Sequence, residues 1–223
     1  MITADAIVLD IEGTTTPIAF VHDVLFAFAS THLAPHLAHH DVTAAFRSEY
    51  ETDPDRPTSF ELESYIRWLI DRDRKSTALK ALQGDIWRGG YESGELRSIV
   101  YDDVPPALAA WRDAGITIAI YSSGSIAAQQ LLFRHTTHGD LTPSIARYFD
   151  TTTGPKRASA SYATIMAALG GVVVFVSDVV DELVAAHDAG MIAVLSVRPG
   201  NAPVSPHPFP SITSFAELVL QRA

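Results

Sequence analysis

The chain has 223 residues, 47% of them hydrophobic and none of them cysteine; that suits one sizeable core, or a core with an accessory domain, argues against disorder over most of it, and excludes disulfides and thiolate metal sites. Sixteen Lys and Arg against 26 Asp and Glu give a net charge of −10, which argues against nucleic-acid binding, since that needs a basic face. A small anionic substrate stays open, because a local cluster of donors with a metal reverses the field inside a cleft. Met1 to Ala6 shows no basic stretch followed by a long apolar one, and no run approaches a membrane span. The expectation is a soluble, cytoplasmic protein without membrane contact.

In chain order, Ala6-Ile7-Val8-Leu9 is a β-rich run without alternation, as in a strand buried on both faces, and it stops at Asp10. From about residue 17 to about residue 100 no parallel strand is evident. Val21, Val24, Leu25 and Phe28 fall at i, i+3, i+4 and i+7, the period of an amphipathic helix, and Phe60 to Ile70 and Thr77 to Trp87 read as two more helices. Residues 17–100 therefore read as a helical domain inserted after the first strand, with 1–16 and 101–223 forming the core. His32, His36, His39 and His40 include i, i+4 pairs, but Pro35 interrupts them and no Glu adjoins His32 or His36, so they read as solvated histidines rather than zinc ligands. Gly89-Gly90 and Gly170-Gly171 read as turns.

Beyond the insertion, Pro105-Pro106 opens a helix that Gly115 stops. A second strand, Ile116 to Tyr121, ends at Ser122 and Ser123; a third, Val172 to Val176, ends at Ser177 and Asp178; a fourth, Met191 to Leu195, follows. Ser125 to Phe133, Ala158 to Leu169 and Asp181 to Ala189 read as the helices between them. Arg198 to Pro210 is a Pro-rich loop, and Ser214-x-x-Glu217 is a capping-box pattern for a last short helix. This alternation predicts an α/β protein built on a doubly wound parallel sheet.

Ligands of such sheets bind beyond the carboxyl ends of the strands. Those ends here carry Asp10, Ser122 and Asp178, with Glu12 two residues past the first. Singly, each residue is a common turn or capping residue; together they suit a hard cation such as magnesium. The run Asp10-Ile11-Glu12-Gly13-Thr14-Thr15-Thr16-Pro17 resembles the first motif of the haloacid-dehalogenase-like hydrolases. Ser122 after the second strand, Lys156 opening a later helix, and Asp178 with Asp181 and Glu182 match the later motifs in order.

More narrowly, that first run together with Leu82-Gln83-Gly84-Asp85-Ile86-Trp87, Gly90-Tyr91, Gly94-Glu95-Leu96, Tyr121-Ser122-Ser123-Gly124-Ser125, Tyr148-Phe149-Asp150-Thr151 and Arg198-Pro199-Gly200-Asn201 resembles the enolase-phosphatases of methionine salvage. The resemblance implies a core of that superfamily with an inserted helical cap, and a magnesium-dependent phosphoric monoester hydrolase, acting as a monomer on a small phosphorylated diketone. It implies enolisation of 2,3-diketo-5-methylthiopentyl 1-phosphate and then its dephosphorylation to an acireductone. By motif position Asp10 is the nucleophile and Glu12 the general acid and base. Ser122 and Ser123 bind substrate, Lys156 neutralises the nucleophile and the transferring oxygens, and Asp10, Glu12 (through its backbone carbonyl) and Asp178 hold Mg2+. Glu182 stays open between a supporting role at the metal and a favourable charge in a first helical turn. Two departures stand out. Ser98 to Asp102 replaces the family's Gly-His before Val100 and its Pro before Asp103, and Pro155 precedes Lys156.

Overall fold

A computed structural model describes residues 1–72, 74 and 76–222. The chain divides into two compact units, Met1–Val21 with Arg97–Ala223, and His22–Leu96.

In the first unit the continuous apolar runs become the middle of a six-stranded parallel sheet. Its strands are β2 (Ala6–Leu9), β3 (Thr117–Tyr121), β4 (Arg147–Phe149), β5 (Val173–Ser177), β6 (Ile192–Ser196) and β7 (Ser211–Ile212), in spatial order β4-β3-β2-β5-β6-β7. The first pair, β1 (Ile2–Thr3) with β8 (Leu220–Gln221), forms a separate parallel ladder. Alternation along the strands splits their side chains between two clusters. Ile7, Leu9, Ile118, Ile120, Val174 and Val176 pack with Leu108, Trp111 and Phe215 on one face. Ala6, Val8, Ala119, Tyr121, Val173 and Phe175 pack with Tyr162, Ile165, Leu183 and Ala186 on the other. Both faces are dry, so neither shows the polar alternation of a half-exposed sheet.

The covering helices are α6 (Val104–Asp113), α7 (Ile126–Arg134), α8 (Ser159–Leu169) and α9 (Val180–Asp188), where the helical segments were expected. The capping box is present: Ser214 and Glu217 satisfy each other's backbone around a single 3-10 turn, Phe215–Glu217. The expectation for Lys156 is corrected. α8 begins at Ser159, so Lys156 lies in the turn before the helix rather than opening it. Strands β1, β4, β7 and β8 were not anticipated; two or three residues are too few to display a period.

The second unit is helical: α1 (Ala27–Thr31), α2 (Leu33–Leu37), α3 (Thr43–Thr52), α4 (Leu62–Asp71) and α5 (Thr77–Ser93). Its own core gathers Leu33, Phe46, Tyr65, Ile66, Leu69, Leu79 and Leu82. Glu61 caps α4 by accepting from Glu63 N and Ser64 N, and Ser76 caps α5 by accepting from Leu79 N. The amphipathic segment at Val21 to Phe28 is only partly α-helical. Phe20–Phe26 winds as a π-helix that runs across the point where the chain leaves the first unit for the second.

Gly89-Gly90 is also corrected, since both residues lie inside α5 rather than in a turn. A Cβ on Gly90 would sit 2.5 Å from the Phe28 ring and 2.9 Å from Leu96, whereas one on Gly89 would meet nothing. Gly90 is thus there for close approach, not for a bend. The helix ends instead at Gly94, whose φ of 79° is left-handed. Among the described residues, no helix is long and apolar enough to cross a membrane.

Candidate active site

Parallel pairing sets the level of the site. Leu9 is in register with Ile120 of β3 and with Val176 of β5, so the residues that follow these strands emerge side by side at the carboxyl edge. Asp10, Ser122, Ser177 and Asp178 are brought together this way. Lys156 arrives from the turn before α8, and Glu182 from the first turn of α9.

Asp10 is 5% exposed, and both of its carboxylate oxygens are held. Oδ1 accepts from Lys156 Nζ at 2.6 Å and from Ile11 N at 2.8 Å. Oδ2 lies 3.2 Å from Ser177 Oγ. Lys156 Nζ also reaches Glu182 Oε2 at 2.7 Å, and Ser177 Oγ lies 3.0 Å from the same oxygen. Ser177 has one hydroxyl proton, so the two carboxylates share it, while its oxygen accepts from Val179 N. Burial works against a charge on Lys156, but Asp10 and Glu182 outweigh it and raise its pKa above the ordinary lysine value. The turn carrying Pro155 and Lys156 is tied to α8. The Pro155 carbonyl accepts from Ser161 Oγ at 2.8 Å, and Tyr162 OH donates to the Lys156 carbonyl at 2.7 Å, which steers the lysine onto Asp10.

Glu182 therefore sits inside the site. Burial, followed by the charge of Asp10, pushes its carboxyl up to about 7. Asp181, one residue earlier, points outward toward Arg157, 3.6 Å away, and takes no part. Asp178 is pushed up to about 6, first by burial and then by Asp10, with Glu12 adding to it. Asp10, Glu12 and Asp178 on loops after the strands and Glu182 in the first turn of α9 are four carboxylates, and Lys156 offsets one of their charges. That surplus, presented on hard oxygen donors, fits a divalent cation. Among the described residues no three His, Asp or Glu side chains close on one point, so Asp10 and Asp178 would hold it with a backbone oxygen, the expected one being the Glu12 carbonyl.

Ser122 is 6% exposed and accepts from Gly124 N at 3.3 Å through Oγ; Ser123 is exposed on the same loop. Two residues that sequence reasoning did not single out stiffen this loop. Gln129 Nε2 donates to the carbonyls of Gly124 (2.8 Å) and Phe149 (2.9 Å), and Asp150 Oδ2 accepts from Ile126 N at 3.3 Å. Asp150 falls within the Tyr148 to Thr151 segment, but nothing in its type or spacing distinguishes it from a turn residue.

The turn after Asp10 is braced from the carboxyl end of β6 and the loop that follows it. Gly13 has φ 66°, and its carbonyl accepts from Ser196 Oγ (3.1 Å) and Asn201 Nδ2 (3.0 Å). The Thr14 carbonyl accepts from Arg198 Nε at 3.2 Å. Arg198 is 6% exposed, pairs with Asp103 at 2.8 Å, and has the Tyr101 and Phe215 rings against its guanidinium. In the departing segment, Val100 is buried and Tyr101 N donates to the Thr15 carbonyl at 3.0 Å, so it too holds this turn.

A family model described as haloacid dehalogenase-like hydrolase matches residues 4–190. Enolase-phosphatase E1 of Sorangium cellulosum is 53% identical over 209 residues, which cover 89% of this chain and 90% of that protein. The chain belongs to the enolase-phosphatase family. Within it, a Vitis vinifera protein named as a probable bifunctional methylthioribulose-1-phosphate dehydratase/enolase-phosphatase E1 is 43% identical, over 95% of this chain and 46% of its own length. The solved UTR4 protein of Saccharomyces cerevisiae superposes with a TM-score of 0.80 at 33% identity, covering 95% of this chain and 98% of that one.

Proposed function

We propose that this enzyme enolises 2,3-diketo-5-methylthiopentyl 1-phosphate and then removes its phosphate to give the acireductone 1,2-dihydroxy-3-keto-5-methylthiopentene, as a magnesium-dependent cytoplasmic monomer. The observation that carries the phosphatase half is the Asp10 carboxylate, which is fixed at both oxygens at a strand end. The substrate rests on the family and on the grapevine relative, whose name joins an enolase-phosphatase to a dehydratase of methylthioribulose 1-phosphate.

In this reading an Asp10 oxygen attacks phosphorus and the bond from phosphorus to the substrate oxygen breaks. Glu12 gives that oxygen its proton, then takes one from water as water attacks the aspartyl-phosphate, releasing phosphate and restoring Asp10. Lys156, already locked between Asp10 and Glu182, presents its charge to the transferring oxygens without reorganising. Ser122 and Ser123 supply hydroxyl and loop N–H donors to the phosphoryl group. Bound Mg2+, held by Asp10, Asp178 and the Glu12 carbonyl, supplies electrophilic stabilisation of phosphoryl and enolate oxygen charge.

The test is phosphate release from the diketo phosphate, with the enol followed by ultraviolet absorbance, with and without chelator. Asp10→Asn is expected to reduce phosphate release to background, and Glu12→Gln to lower kcat by about 10²–10⁴-fold. Full phosphate release by Asp10→Asn, or activity untouched by chelation, would refute the assignment.

A further inference from the structure

The brace behind Gly13 contains a group that its structural role does not use. Asn201 Nδ2 donates to two carbonyls, Gly13 O at 3.0 Å and Ser196 O at 3.2 Å. Those two acceptors fix the orientation of the amide, because the flipped form would set oxygen against oxygen. Oδ1 therefore faces the other way, and it is buried with no hydrogen-bond partner. A buried amide oxygen left without a donor costs roughly 1–3 kcal/mol, so its surroundings matter.

What it faces is Asp178. An ideal Cβ on Gly13 would lie 2.4 Å from Asp178 Oδ2 and 2.8 Å from Asn201 Oδ1. The carboxylate and the amide oxygen thus converge over one glycine, in a space that any side chain at position 13 would fill. Two acceptors placed together without a donor repel each other. The arrangement becomes favourable when a hydrated cation sits there, since its charge attracts both oxygens and its waters supply O–H donors.

We infer that Asn201 is a positioning residue for the divalent cation. Its amide nitrogen fixes the Gly13 turn that carries the Glu12 carbonyl, and its oxygen accepts a hydrogen bond from the cation's water shell beside Asp178. This rests on the reading that Asp10 and Asp178 hold Mg2+. Arg198, three residues earlier on the same loop, anchors Asn201 by binding Thr14 O, Thr213 O and Asp103.

Calorimetric titration of metal-free protein with Mg2+, alongside thermal unfolding without Mg2+, separates the two halves of this role. Asn201→Ala removes both the donor and the acceptor, whereas Asn201→Asp keeps an oxygen toward Asp178 and loses the donor. Both variants are expected to melt below the unmodified protein. Asn201→Ala is expected to weaken Mg2+ binding by about 10- to 100-fold, and Asn201→Asp to bind Mg2+ about tenfold more tightly than Asn201→Ala. Equal Mg2+ affinities for the two variants would overturn the inference, leaving Asn201 as a brace alone, and so would an Asn201→Ala protein that binds Mg2+ like the parent. If Asn201→Ala does not fold, the comparison is between Asn201→Asp and the parent, and a loss of about 100-fold or more in Asn201→Asp overturns it. Failure of the unmodified protein to bind Mg2+ would instead remove the cation site on which the inference rests.

Discussion

Asp178 shows how one carboxylate couples stability to metal binding. Burial and the neighbouring charge of Asp10 push it up to about 6, well above an unperturbed Asp near 3.9. A raised carboxyl pKa means that the folded metal-free protein holds a proton that the unfolded chain has already released. Stability through this group is therefore full below about pH 4 and falls as pH rises toward 6, where the folded state also ionises. Mg2+ requires the ionised form, so its affinity should increase as pH passes about 6 and level off above it. Titrating the metal-free enzyme with Mg2+ from pH 5 to pH 8 tests this; an affinity independent of pH, or one that falls, would contradict it. At this scale the convergence of Asp10, Ser122 and Asp178 on one sheet edge was legible because strand ends announce themselves. For Glu182 the sequence left two readings open. An acidic residue in a first helical turn looks the same in sequence whether it faces water or, as here, meets Lys156 at 2.7 Å.

Helix α5 carries the clearest element-level lesson. Glycine is a poor helix residue, so replacing either Gly89 or Gly90 by alanine gains propensity. Space decides the sign. Gly89→Ala meets nothing and should stabilise by about 0.5–1 kcal/mol. Gly90→Ala drives a methyl into the Phe28 ring, itself stacked on His32 at 3.8 Å, and should destabilise by about 1–3 kcal/mol despite the same gain. Urea denaturation of the two single variants decides it, and identical shifts would refute the packing explanation. The four main strands and most helices were readable from continuous apolar runs and Pro/Gly punctuation. The π-helical Phe20–Phe26 was not, since Val21, Val24, Leu25 and Phe28 satisfy the α period. Burial agrees only partly, with Val21 and Leu25 inside and Val24 exposed.

Across the whole molecule, the segment after β7 closes the core that the first residues open. Phe215, Leu218 and Leu220 are nearly fully buried, Trp111 Nε1 donates to the Leu218 carbonyl at 3.1 Å, and Asp103 accepts from Ser214 Oγ at 2.8 Å. Ending the chain after Thr213 exposes that cluster and takes the Ser214 and Phe215 donors away from Asp103. Losing three such side chains costs on the order of 5 kcal/mol, comparable to the entire stability of many domains. The truncated protein should lose its cooperative near-ultraviolet circular dichroism transition; a cooperative transition at the full-length temperature would show that the segment is dispensable. None of this closure was visible in the sequence, where 218–222 is too short to carry a pattern.

The ladder between β1 and β8 has a topological consequence. Ala4 and Asp5 lead straight from β1 to the start of β2, and Asp5 N is bonded to Val172 O just before β5. β1 and β8 therefore meet at the amino edge of the sheet, opposite the edge where Asp10 and Asp178 emerge. A linker sewn between these two strands with a cut in an exposed loop elsewhere, or a second protein stitched in beside them, works on the quiet side and leaves the catalytic edge as it is.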